Sequence, residues 1–108
     1  MALGTYRPGS GSAPLSAHEA RQCLEHEHNS RLAQLTALQE TGADPADQLV
    51  AAQREAVQRV IREIEAAFGR VRDGSYGTCQ ECAKPIPAER LEILPYARHC
   101  VGCQSRKA

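Results

Sequence analysis

Tryptophan is absent from this 108-residue chain, phenylalanine occurs once, and aromatic residues make up only 4% of it. So thin an aromatic content excludes a large globular core, and the many Ala, Leu, Glu, Gln and Arg residues suit packed helices rather than a sandwich or barrel. Surplus charge is missing too, since 13 Lys and Arg balance 13 Asp and Glu. Proteins that hold nucleic acid through its phosphates carry a basic surplus or a basic face. Its absence counts against a DNA-binding finger. No stretch approaches the roughly 18 apolar residues of a membrane span, and the first residues lack the basic-then-apolar pattern of a secretory leader. The expectation is a soluble, intracellular chain whose thiols stay reduced.

Against this background five cysteines stand out, four of them as two C-x-x-C pairs: Cys79 with Cys82, and Cys100 with Cys103, 17 residues lying between the pairs. Each pair places two thiolates around one tight turn, and two pairs supply the four soft ligands that tetrahedral zinc accepts. The interval falls in the range of four-cysteine zinc sites. Two disulfides, or one redox-active pair, are the alternative, and they suit a secreted chain. One structural zinc fits better, because ligation replaces the core area that a short chain lacks. Four thiolates also close the metal shell and leave no position for an activated water, so no enzyme is expected. His99 abuts Cys100, and with four cysteines present it is assigned to the surface or to a supporting position. Cys23 reads as a small apolar residue on a helix face. His18, His26 and His28 read as solvated, since His26 and His28 lie two apart on a helix and point different ways.

Residues 1–15 are rich in Gly, Ser and Pro and read as a disordered lead-in. Ser16-Ala17-His18-Glu19 then spells a capping box. A first helix is expected from about Ala17 to Glu40, with Ala20, Leu24, Leu35 and Leu38 on its apolar side and His28 and Arg31 interrupting the seam. Gly42 suits the left-handed position past its end. A second helix should open at Asp44-Pro45-Ala46-Asp47, with Asp44 as cap and Pro45 in the first turn, and should last to about Arg72. Val57, Ile61, Ile64, Phe68 and Val71 step by four and three, a coiled-coil seam. The short link forces an antiparallel reversal. The fold class is therefore mainly α: an antiparallel coiled-coil hairpin over residues 16–73, its tip near 41–48, followed by a four-cysteine zinc finger over 74–108.

Gly74-Ser75-Tyr76-Gly77-Thr78-Cys79-x-x-Cys82, followed by Ile86-Pro87, Arg90-Leu91, Pro95 and Cys100-x-x-Cys103, resembles the DksA/TraR zinc-finger proteins of bacteria. The likeness extends to the hairpin, where Asp44-Pro45-Ala46-Asp47 resembles the acidic tip of the DksA branch. It implies a regulator of transcription that binds RNA polymerase directly, inserting the hairpin into the secondary channel so that Asp44 and Asp47 act near the catalytic centre. Leu49 stands where that tip carries Ala, and the interval from Asp44 to Cys79 is about two helical turns shorter than in well-known members, roughly 12 Å of reach. The basic residues that hold guanosine tetraphosphate in those members align with Glu63, Leu94 and Gln104. Polyphosphate binding needs Lys or Arg, so no alarmone binding is expected.

The chain stops five residues after Cys103, so the C-terminal helix of the family is expected to be absent or a stub. Tyr76 is expected to pack on the first knuckle, Gly77 and Gly102 to let backbone approach the thiolates, and Arg90 to bridge finger and helix. Arg70, Arg72, Arg98, Arg106 and Lys107 read as a modestly basic surface. The rival reading from another class is a zinc-ribbon adaptor that binds some other protein through its hairpin. A nucleic-acid-binding ribbon comes third, for want of charge and aromatics.

Overall fold

The computed structural model describes residues 15–40 and 48–107. Four helices follow in order: α1 (Ala17–Glu40), α2 (Gln48–Asp73), α3 (Ala88–Ile93) and α4 (Val101–Lys107). The expected Gly42 stop, the Asp44-Pro45-Ala46-Asp47 start and the lead-in up to residue 14 lie outside the described residues.

Helix α1 begins on the capping box that the sequence spells. The Glu19 amide donates to Ser16 Oγ at 3.0 Å, and the Ser16 amide donates to Glu19 Oε1 at 2.9 Å. Two amides that the helix itself cannot satisfy are thus paired, an arrangement that stabilises the start by about 1 kcal/mol. Helix α2 is the strongly amphipathic partner. Val57, Ile61 and Ile64 are buried, and Arg70 and Arg72 in its last turn complement the negative end of the helix dipole.

The two helices run antiparallel. Leu24 packs with Ile64, Ala67 and Phe68, His28 meets Glu65, and Arg31, Gln34 and Leu38 share a groove with Val60, Val57 and Gln53. Each advance along α1 is therefore a retreat along α2. Packing is dense at the base, where Ala20 and Leu24 are fully buried, and loosens away from it, where Leu35 and Leu38 are half-buried and Leu32 is exposed.

Two details depart from the heptad reading. The buried stripe of α2 broadens to take in Ala67 and Arg70, because the base of this helix is covered by α1 and also by Tyr76 and Tyr96 of the following segment. His28 does not break the seam as a solvated residue. Its ring stands edge-on to Phe68, centroids 6.2 Å apart at 84°, with Nε2 3.4 Å from Glu65 Oε2.

The chain leaves α2 through a glycine turn. Gly74 has φ +85°, and the Ser75 amide donates to the Arg70 carbonyl at 3.0 Å, which is the bond pattern of a Schellman ending. Asp73 Oδ1 accepts from the Ser75 amide at 2.9 Å and from Ser75 Oγ at 2.6 Å, and these bonds hold its carboxyl below the usual carboxylate range. Beyond the turn there is no strand among the described residues, only an isolated antiparallel bridge between Thr78 and Pro85.

Candidate metal centre and its junction with the hairpin

Each C-x-x-C pair sits on its own backbone device. At the first, the Cys79 amide donates to the Lys84 carbonyl and the Ala83 amide returns to the Cys79 carbonyl, both at 2.9 Å, closing a tight knuckle. The reversal is sharp enough to push Ala83 into the left-handed region at φ +66°. Gly77 also has positive φ (+85°), and its carbonyl accepts from the Ile86 amide at 2.7 Å. The second pair opens α4, where the Gln104 amide bonds the Cys100 carbonyl. The C-terminal segment thus forms a short helix. Gly102 lies inside it, with nothing within 4 Å of where a Cβ would stand, so the expected backbone approach at Gly102 is not found.

These two devices bring Cys79, Cys82, Cys100 and Cys103 together, all four sulfurs within 4.8 Å of one another. Cys79 and Cys103 are buried, Cys82 and Cys100 half-buried. Tetrahedral zinc with bonds of about 2.3 Å requires sulfurs about 3.8 Å apart, and Cys82 Sγ lies 3.9 Å from Cys100 Sγ. A disulfide requires about 2.05 Å, and all five cysteines are free thiols. The cage therefore fits one structural zinc.

Before metal enters, protons are shared unequally among these sulfurs. Burial raises Cys79, but backbone hydrogen bonds from Cys100, Cys82 and Glu81 outweigh it and bring this thiol down to about 6. Cys103 is pushed up to about 12, first by burial and then by its sulfur neighbours. Zinc uptake must expel the protons that remain.

Around the cage, Ile86, Leu91 and Ala97 complete a small apolar core with Cys79 and Cys103. Leu91 comes from α3, a helix that the sequence reading missed although Pro87 ahead of Ala-Glu-Arg-Leu is a start signal. Leu15, read as part of the lead-in, is half-buried against the same core. Arg90 reaches from α3 to the second knuckle, its Nε donating to the His99 carbonyl at 3.1 Å. The His99 ring is largely buried beside Glu81, its Nε2 3.9 Å from Oε1, and stands apart from the four-sulfur cluster.

Tyr76 and Arg70 help to join this finger to the hairpin. Tyr76 packs against both cores, and its hydroxyl donates to the Pro95 carbonyl at 2.8 Å. Burial pushes its phenol pKa well up. Arg70 was read as basic surface, but it is buried at 8% exposure and its Nη2 donates to the Tyr96 carbonyl at 3.3 Å. The bridging expected of Arg90 is thus carried by Arg70. A charge buried off the heptad seam is hard to anticipate, because the segment that accepts its hydrogen bond lies 26 residues away.

Of the expected tip residues, Leu49 lies in the first turn of α2 and is exposed at 67%. Asp44 and Asp47 lie outside the described residues. Glu63, Leu94 and Gln104 do converge, lining a cleft of about 420 Å³ together with Arg90, Arg98 and His99. Its two arginines are already engaged. Arg98 pairs with Glu63 at 2.7 Å, and Arg90 holds the His99 carbonyl. The thiol of Cys23, on α1, is raised by burial and then by Glu19.

A closed four-sulfur metal cage locked to the base of an antiparallel helical hairpin defines a structural zinc-finger protein. Residues 74–107 match the prokaryotic DksA/TraR C4-type zinc finger. General stress protein 16O of Bacillus subtilis is 38% identical over 52 residues, covering 48% of this chain and 32% of that protein. The RNA polymerase-binding transcription factor DksA of Caulobacter vibrioides is 43% identical over 53 residues, covering 49% of this chain and 37% of the relative. Both matches thus span about a third of the relative's own length. The solution structure of the DnaK suppressor protein from Agrobacterium tumefaciens superimposes with a TM-score of 0.62 over 90% of this chain and 98% of that one, at 24% identity, and so shares the fold. Residues 74–107 therefore carry a finger of the DksA/TraR C4 type, set on a hairpin fold that DksA-like proteins share.

Proposed function

We propose that this protein regulates transcription initiation by binding RNA polymerase directly, with the hairpin tip placed in the secondary channel. The observation that carries the reading is the 43% identity, over 53 residues, to a relative named as an RNA polymerase-binding transcription factor. The architecture suits the task. Helix α2 alone is 26 residues, about 39 Å at 1.5 Å per residue, and the finger packs against its base. A partner therefore meets a narrow two-helix probe whose far end carries Asp44, Asp47 and Leu49. Asp44 and Asp47, three apart in the sequence, would together suit a basic or metal-bearing surface. Helix capping by Asp44 would order them before docking and reduce the entropic cost of binding.

Cys79, Cys82, Cys100 and Cys103 are the zinc ligands in this reading, and the metal is structural: it fixes the finger against the hairpin and so sets where the tip points. The role is regulatory rather than enzymatic, since four sulfurs leave the metal no open position. The cleft chemistry supports action independent of guanosine tetraphosphate, since Glu63 opposes a polyanion and already pairs with Arg98. A polymerase partner would make this a cytoplasmic protein.

Capture by purified core polymerase, competed by a known secondary-channel factor, tests the reading. Displacement by that competitor is expected, and failure to bind polymerase would favour a zinc-ribbon adaptor for another protein. The double variant D44N/D47N is expected to fold and bind polymerase normally while losing its effect on initiation. Full activity of that variant would reduce the two aspartates to helix caps. Calorimetry with guanosine tetraphosphate and the polymerase complex is expected to show no tight binding dependent on this cleft.

A further inference from the structure

The four sulfurs are not served alike by hydrogen-bond donors. Cys82 Sγ and Cys100 Sγ face each other at 3.9 Å. Cys82 is half-buried and within reach of water. Cys103 is 2% exposed and takes its bond from a side chain instead: Arg106 Nη2 lies 3.0 Å from Cys103 Sγ. The two residues are three apart on α4, a spacing that stacks their side chains on one face of the helix. Zinc with four thiolates carries two net negative charges, and those charges sit on the sulfurs. A guanidinium on this buried sulfur is therefore a charge-assisted bond placed where water cannot readily substitute.

We propose that Arg106 is the positioning residue that sets how firmly this finger holds zinc, acting through the Cys103 thiolate. The inference rests on the four-cysteine zinc site and is independent of any polymerase partner. Partial neutralisation of the cage disfavours loss of the ligand to a competing chelator. It also withdraws electron density from the sulfur, because a hydrogen-bonded lone pair is less available for donation. Partners of metal ligands change affinity by about 10-fold to 100-fold. The lower figure is expected here, because Arg106 is itself exposed and its charge is partly screened.

The test uses the full chain as wild type, R106A and R106K. Zinc transfer to a chromogenic chelator is followed in time, and the sulfur-to-cobalt charge-transfer bands are recorded after cobalt substitution. R106A is expected to speed transfer by about 10-fold and to move the bands to lower energy, with helix content by circular dichroism unchanged. R106K keeps a cationic donor and is expected to restore most of both. Transfer within twofold of wild type and unmoved bands in R106A would overturn the proposal. So would R106K behaving as R106A does, since the effect would then belong to packing of the planar group and not to its charge. A zinc-binding stoichiometry below one in the wild-type chain would instead remove the four-cysteine site on which the inference rests.

Discussion

Replacing Tyr76 with phenylalanine deletes one oxygen atom at a residue that, among those described, alone packs against both apolar cores. The hydroxyl lost is the donor to the Pro95 carbonyl at 2.8 Å. A neutral hydrogen bond contributes about 1 kcal/mol net, and a buried carbonyl left without a donor costs about 1–3 kcal/mol. Pro95 is buried, so water cannot fully replace the donor, yet the ring of Phe keeps the packing. The expected loss is therefore about 1–2 kcal/mol, which lowers Tm by roughly 5–10 °C for a chain of this size. Thermal unfolding of the zinc-loaded protein, followed by far-ultraviolet circular dichroism, measures it. Zinc stoichiometry should stay at one per chain, because the sulfurs are untouched. Y76A removes the ring as well and is expected to cost about 3–5 kcal/mol. A Tm for Y76F within about 1 °C of wild type would refute the view that this bond holds finger and hairpin together.

Four further outcomes follow. L24A opens a cavity in the base of the hairpin, where Leu24 has no exposure, and should cost about 2–5 kcal/mol by urea unfolding; a cost under about 1 kcal/mol would show the base to be loosely packed. A83G relieves the left-handed turn after Cys82 and should raise stability by about 0.5–1 kcal/mol, whereas a Tm decrease would contradict strain at that position. C103S, or prolonged exposure to a strong chelator, should release zinc and melt the apolar cluster around Leu91, read as loss of protection in amide hydrogen exchange over α3 and the knuckles. Asp73 has its folded pKa lowered by Ser75, so its contribution is complete above the ordinary carboxylate pKa near about 3.9 and is lost as pH falls through the lower folded value. D73N should flatten the acid limb of stability below about pH 4, and an unchanged acid limb would remove that bond from the account.

How much of this was legible in the sequence depended on how local the determining interactions are. The box at Ser16–Glu19 closes over three residues, and both its bonds form as the sequence spells them. The sulfur cage was legible because metal chemistry constrains spacing more tightly than packing does. The roles of Arg70 and His28 were not. Each is a polar residue whose environment depends on partners 26 and 37 residues away, which no local period reports. Helix α3 was missed for a different reason: six residues are too few to show a period, and only Pro87 marked it. Ala83 gave no signal, since a left-handed turn ordinarily selects glycine and here a short side chain tolerates it.

The glycine turn at Gly74 has a geometric consequence for anything the hairpin touches. With one end of α2 fixed there and the other about 39 Å away, a rotation of only about 5° at the turn sweeps the distal end through an arc of roughly 3 Å, about the length of a hydrogen bond. Aim is thus magnified over distance. A substitution in the finger that leaves every distal side chain untouched can still misdirect them all.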